Sequence, residues 1–240
     1  MEYFEHRLPC DATLISKFRK IIGEEGVERL LAQTISTALN LKMIAPSALE
    51  TVVVDTTVQP KAIAWEKAQR IVAQSQSQKS NGTPKIYSWH APEAEVIAKG
   101  KARTPYAFGV KVDITSTLKG NLLLGARSFP HTPYVGHTLH EQLEQASIFS
   151  DNTIKDVYVD LGYRGVDHQN PTVSINHHGK YKRLSDKEHT LLKRRQAIEP
   201  IFGYLKSDHR LNRCHLKGAD GDAIHAVLAL RDITSVSYCG

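Results

Sequence analysis

Thr51-Val-Val-Val-Asp55 is where the chain changes character. So short a β-branched run reads as a buried strand, and Pro60 closes it because proline has no N–H to give a ladder. The run ends on a carboxylate, which costs free energy at the end of an apolar strand unless something pairs with it. The pattern returns at Val157-Tyr-Val-Asp160, which continues as Leu161-Gly-Tyr163-Arg164. A third acid, Glu199, lies in a basic segment with helical spacing, Arg194-Arg-Gln-Ala-Ile-Glu199-Pro-Ile-Phe-Gly-Tyr-Leu-Lys206.

Upstream of the first strand the apolar residues follow a helical period. Leu14, Ile15, Phe18, Ile21 and Ile22 recur at three- and four-residue spacing. Gly23 and Gly26 interrupt them, and Val27, Leu30, Leu31, Thr34, Ile35 and Leu39 resume the pattern. This predicts two amphipathic helices in a small helical region over residues 1–48. Such a region is either a packing module or a DNA-recognition and dimerising unit, and no recognition helix stands out to decide between them.

Downstream, Ala64–Gln74 reads as a helix, and Ser75-Gln-Ser-Gln-Lys-Ser-Asn-Gly-Thr-Pro84 as a polar linker. Phe108-Gly-Val-Lys-Val-Asp-Ile114 alternates with period two, Lys119-Gly-Asn121 is a turn, and Leu122–Phe129 is a second strand, so the three form a hairpin. A helix is expected over Thr138–Ala146 and strands over Val157–Asp160 and Thr172–Asn176. Ser185-Asp-Lys-Glu188 has capping-box spacing and opens a helix through Leu191, Leu192, Ile198, Ile201, Phe202 and Leu205, kinked at Pro200. The order predicts an α/β fold, a mixed sheet flanked by helices, over residues 49–230. Two strand-end acids and one helical acid can converge at one end of such a sheet.

Bulk properties narrow the function. The 240 residues carry 31 Lys and Arg against 25 Asp and Glu, a net charge of +6, which favours a polyanionic partner. Apolar content of 41% with 23% charged residues is that of a globular chain. The three cysteines, Cys10, Cys214 and Cys239, are far apart and odd in number, which argues against a disulfide framework and for a reducing cytoplasm. No stretch approaches the ~20 apolar residues of a membrane span, and the N-terminus is too polar for a secretory signal. The histidines show no zinc spacing: His177 and His178 point to opposite sides of any strand, and CxxC, HxxxH and HExxH are all absent from the sequence. Lys99-Gly-Lys-Ala-Arg103 is a small basic patch near the hairpin.

Asp55, Asp160 and Glu199 are hard oxygen donors, the type that holds magnesium beside substrate phosphates. Two such ions can stabilise the attacking and leaving oxygens of a phosphoryl displacement. The alternative is three separate surface acids. Arg195 lies four residues before Glu199 and Lys206 seven after, so all three approach one helical face. That stripe can grip phosphate, or it is an ordinary salt-bridged helix surface.

These blocks resemble a family. Asp160-Leu-Gly-Tyr163-Arg164 resembles the D-x-G-(Y/F)-R block around the second acid of bacterial insertion-sequence transposases, and Arg195-x3-Glu199-x6-Lys206 matches their R-x3-E-x6-K signature. Val53-Val-Asp55-Thr-Thr57 is similar to the block at their first aspartate. Lys42-Met-Ile44, Val58-Gln-Pro-Lys-Ala62, Lys85-Ile-Tyr-Ser88, His90-Ala-Pro-Glu93, Gly136-His-Thr-Leu139 and His215-Leu-Lys-Gly218 look close to the insertion-sequence-five type of this DDE superfamily. The resemblance runs from the N-terminus to about Leu230. It implies a ribonuclease H-like catalytic domain and magnesium-dependent cleavage and strand transfer of double-stranded DNA, by a homodimer acting on terminal inverted repeats and target DNA in the bacterial cytoplasm.

On this resemblance Asp55, Asp160 and Glu199 are the catalytic acids and the ligands of two Mg²⁺ ions, with Mn²⁺ as a substitute. Tyr163, Arg164, Arg195 and Lys206 contact DNA, and residues 1–48 serve end recognition and dimerisation. Leu192 stands where the family signature carries a tyrosine, and Val135 where an acid usually precedes Gly-His-Thr-Leu. The span from Asp55 to Lys85 is short for the family, and residues 231–240 are expected to form an atypical tail, as in a truncated copy. A hydrolytic nuclease on the same fold and a catalytically inactive DNA-binding remnant remain the alternatives.

Overall fold

The centre of the sheet is β1, Thr51–Pro60, which has neighbours on both edges. The structure is a computed structural model that describes residues 12–62, 88, 91–99, 105–165, 167–177 and 185–236 of the 240-residue chain. β3 (Tyr106–Thr117) runs antiparallel to β1, from Thr117 opposite Val52 to Gly109 opposite Pro60. β2 (Glu95–Ala98) and β4 (Leu123–Phe129) both pair antiparallel with β3. On the other edge of β1, β5 (Asp156–Tyr158) is parallel, and β6 (Ser174–Asn176) is parallel to β5. The order is β2-β3-β1-β5-β6, with β4 also on β3. A Cβ on Gly109 would stand 2.0 Å from the Gln59 carbonyl oxygen, so only glycine lets the strands approach there.

Joining β4 to the parallel β5 requires a crossover, and helix α2 (Val135–Ser150) supplies it. Residues directly opposite each other in an antiparallel pair share a face. Thr56 and Asp113 are such a pair, and α2 covers their face: Thr138 reaches Asp113, and Gln142 Nε2 donates to Thr115 Oγ1 at 2.8 Å. Asp55 and Ile114 lie on the other face. There Val53, Leu118 and Tyr158 pack against Leu192 of α3 (Asp186–Arg194) and Ile198 of α4 (Ile198–Ser207). Helices α1 (Ala12–Asn40) and α5 (Gly218–Val236) pack on each other and on β4.

Most elements lie where the periodicity puts them, including the hairpin and the Ser185–Glu188 capping box. Five expectations change. β1 does not stop after Asp55; it continues through Thr56, Thr57 and Val58 to Pro60, whose missing N–H is harmless at the final position. Asp55 is therefore mid-strand. The last long helix breaks before Pro200, at a 3-10 turn over Arg195–Ala197. That break leaves Pro200 in the first turn of α4, where an N–H has no partner to lose. Gly26 does not interrupt the pattern and is helical; Gly23 alone does, with φ 62° and ψ −171°, so α1 comprises the two expected helices meeting at a kink.

The boundary at residue 48 does not divide the core. Val27, Leu31, Ile35 and Ala38 of α1 are buried in the same cluster as Val52, Val54 and Leu124 of the sheet. Residues 231–236, expected as a tail, continue α5. β2 and α5 went unpredicted. The helix expected over Ala64–Gln74, the linker over residues 75–84, and residues 100–103 and 178 lie outside the described residues.

Candidate active site

Each acid is held by a different element. Asp55 points from β1 toward α3 and α4, with its side chain 18% exposed. Its Oδ1 accepts the Thr56 backbone N–H at 2.8 Å. Asp160 follows β5 and opens the 3-10 turn Leu161–Tyr163, with its side chain 59% exposed. Glu199 is in the first turn of α4, exposed, next to buried Ile198. Packing of Ile198 against Val53, two residues before Asp55, brings Glu199 to the face where Asp55 stands.

Arg195 joins two of the acids. Its Nη1 donates to Asp55 Oδ2 at 3.0 Å, and its Nη2 stands 3.9 Å from Asp160 Oδ1. The fork of one guanidinium thus reaches from the middle of β1 to the turn that follows β5, as its geometry permits. Burial pushes the Asp55 carboxyl up to about 6 from its ordinary 3.8. Arg195 and the Thr56 N–H oppose that rise, while the charges of Asp160 and Glu199 add to it. Asp160 and Glu199 therefore both act on Asp55 through space.

The donors offered by Asp55, Asp160 and Glu199 are all carboxylate oxygens. That chemistry fits a hard divalent cation. Among the described residues no three such side chains are grouped as a ready-made metal site, and Arg195 supplies the positive charge between Asp55 and Asp160.

The expected DNA contacts divide. Arg164 is exposed, with its Nε donating to Leu161 O at 3.2 Å, and Lys206 is half-buried on α4. Tyr163 is 1% exposed and its hydroxyl stands 2.7 Å from Thr56 Oγ1, which removes it from any DNA surface. Arg195, also buried, faces the acids instead of solvent. Both corrections have one cause: the turn after β5 and the turn between α3 and α4 fold down onto β1 and carry these side chains inward. Leu192, where the resemblance leads one to expect a tyrosine, is core.

Sequence reasoning missed Asp113. It is fully buried on β3, and Thr56 Oγ1 donates to its Oδ1 at 2.5 Å. Thr138 Oγ1 donates to its Oδ2. Burial pushes its carboxyl up to about 6, against the hydroxyls of Thr138 and Thr56 and helped by the charge of Asp55. An aspartate inside the alternating strand Phe108–Ile114 was the available signal.

No family model matches the chain. Over 70 residues, 29% of its length, it is 46% identical to an uncharacterized protein, ORF8 in the nfe locus of Rhizobium meliloti. The match spans about a third, 34%, of that protein's own length. Almost the whole chain, 99%, aligns with 66% of a chain in the crystal structure of a pre-cleavage Mos1 transpososome, at 12% identity and a TM-score of 0.23. A likeness at that score carries no argument.

Proposed function

We propose that the chain is a DNA transposase of the DDE class, with Asp55, Asp160 and Glu199 as its acids. One observation carries the reading: Asp55 and Asp160, 105 residues apart in sequence, meet through one guanidinium, with Glu199 close enough to raise Asp55. The sheet supports it. Counting β4 as the outer neighbour of β3, the order β4-β3-β1-β5-β6 has three antiparallel strands followed by two parallel ones, a mixed sheet flanked by helices of the kind the resemblance leads one to expect.

Asp55, Asp160 and Glu199 would hold Mg²⁺, which when bound polarises a phosphate and activates water for in-line displacement. Arg195 keeps Asp55 and Asp160 together and offsets their repulsion. Arg164 and Lys206 would neutralise DNA phosphates. Recognition of terminal inverted repeats by residues 1–48, assembly as a homodimer on DNA and a place at the bacterial nucleoid belong to the same reading.

Incubating the protein with duplexes ending in the element's inverted repeats and with Mg²⁺ or Mn²⁺ tests it. Cleaved and joined products are expected, and Asp55→Ala, Asp160→Ala or Glu199→Ala should each remove cleavage and spare DNA binding. Full activity in Glu199→Ala would refute the triad, and cleavage with no joined product would indicate a hydrolytic nuclease. The second reading is a DNA-binding remnant. It is favoured by Arg195 itself supplying the positive charge that faces Asp55 and Asp160. Retained binding with no cleavage at any metal concentration would establish it.

A further inference from the structure

We infer that the buried cluster of Asp113, Thr56, Tyr163 and Thr138 is a positioning device that sets Asp55 and Asp160 relative to each other from the far side of the sheet; this rests on the function proposed above. Thr56 directly follows Asp55 and points to the opposite face, toward Asp113. The Thr56 hydroxyl has one proton, which it gives to Asp113 Oδ1. The Tyr163 hydroxyl stands 2.7 Å from Thr56 Oγ1 and also hydrogen-bonds with Asp113, so the three side chains form one network. Tyr163 closes the turn that Asp160 opens, and its backbone N–H donates to Asp160 O at 3.1 Å.

The path between the two acids is therefore short: one peptide bond from Asp55 to Thr56, one hydroxyl bond to Tyr163, and one backbone bond to Asp160. Thr138 of α2 holds the other oxygen of Asp113, and its Oγ1 also stands 2.6 Å from Val135 O. Four elements, β1, β3, α2 and the turn after β5, meet at this carboxyl. Asp113, Tyr163 and Thr138 are all at most 2% exposed, so water cannot substitute for a lost hydroxyl.

The charged groups around Asp113 leave the cluster's bonding to hydroxyls. Arg127, its register partner on β4, turns to Glu141 of α2 at 2.9 Å. Lys111, two residues back, donates to Pro133 O at 2.8 Å. Asp55 and Tyr163 are the ionisable groups that act on Asp113. Supports of this kind behind a metal-binding carboxylate are worth about 10–100-fold in metal affinity.

The test measures Mn²⁺ affinity of the purified protein and amide hydrogen exchange at residues 161–164. Tyr163→Phe removes one hydroxyl and keeps the ring, Thr56→Val breaks the same bridge from its other end, and Thr56→Ser restores a hydroxyl. Tyr163→Phe and Thr56→Val are expected to lose about ten-fold in Mn²⁺ affinity. In both, the amides of Tyr163 and Arg164 should exchange faster while those of β1 hold, and Thr56→Ser should match wild type in both measurements. Unchanged exchange at the turn in Tyr163→Phe would overturn the positioning role. So would faster exchange with unaltered Mn²⁺ affinity, which would leave the cluster as packing alone. If the wild-type protein binds no Mn²⁺, the proposed function falls, and the exchange measurement still decides whether the cluster holds the turn.

Discussion

Replacing Asp113 with asparagine should make the protein more stable at neutral pH and leave it little changed in acid. The asparagine side chain is isosteric with aspartate, keeps an oxygen for Thr56, and cannot ionise. In the folded protein burial raises the Asp113 carboxyl from 3.8 to about 6. A folded-state value above the unfolded one means that the folded state binds the proton more tightly. Its stabilising contribution is therefore complete below about pH 4 and is lost as pH rises through about 6. At about 1.4 kcal/mol per pH unit, that interval is worth about 3 kcal/mol. The variant escapes the loss. Asp55 is raised to about the same value but is present in both proteins, so it largely cancels in the difference.

Urea unfolding followed by circular dichroism at half-unit steps from pH 4 to pH 8 reads this difference directly, provided the slope with urea is unchanged. The midpoint of Asp113→Asn should pull ahead of wild type between pH 4 and pH 6 and then run parallel. A difference that stays flat across that window, or that favours wild type as pH rises, would refute the account of Asp113 as a buried carboxyl without a cation.

Three other outcomes follow from the packing. Lys61 Nζ lies 2.8 Å from Glu93 Oε1, 2.9 Å from Asp222 Oδ1 and 2.8 Å from Leu216 O, with its side chain 1% exposed. Lys61→Met would strand both carboxylates and should cost about 3–5 kcal/mol in urea unfolding, with Asp222→Asn recovering part of it. Ile35→Ala should destabilise the whole sheet domain by about 2–5 kcal/mol in a single transition, because Ile35 is fully buried in the shared core; a separate early transition confined to α1 would contradict that packing. Burial, with the charge of Asp222, pushes the Cys214 thiol up to about 12, so iodoacetamide should leave Cys214 unmodified in the folded protein and label it in urea.

Reading the chain without its fold recovers the acids and misjudges their surroundings. Asp55 is legible because an acid after three valines is conspicuous, yet its mid-strand position depends on β3 pairing as far as Pro60. Arg195 is legible as a cation four residues before Glu199. Its inward aim depends on the 3-10 turn between α3 and α4, which local helical spacing does not reveal. Tyr163 looks like a DNA contact in its motif and is in fact buried, its hydroxyl bonded to Thr56. Asp113 looks like the polar half of an alternating strand; the crossover helix covers that half and makes it core.

What the sequence by itself determines is local: the periods that make helices and strands, the glycine and asparagine of the hairpin turn, the Ser185 cap, and the residue types able to bind a cation. These depend on neighbours a few positions away, whose geometry the backbone dictates. Tertiary structure alone decides which face of β1 each side chain takes, that Arg195 spans Asp55 and Asp160, and that residues 56, 113, 138 and 163 share one buried cluster. Those contacts join residues up to 140 positions apart. They form only when strand register and the crossover through α2 bring the elements together and exclude water from between them.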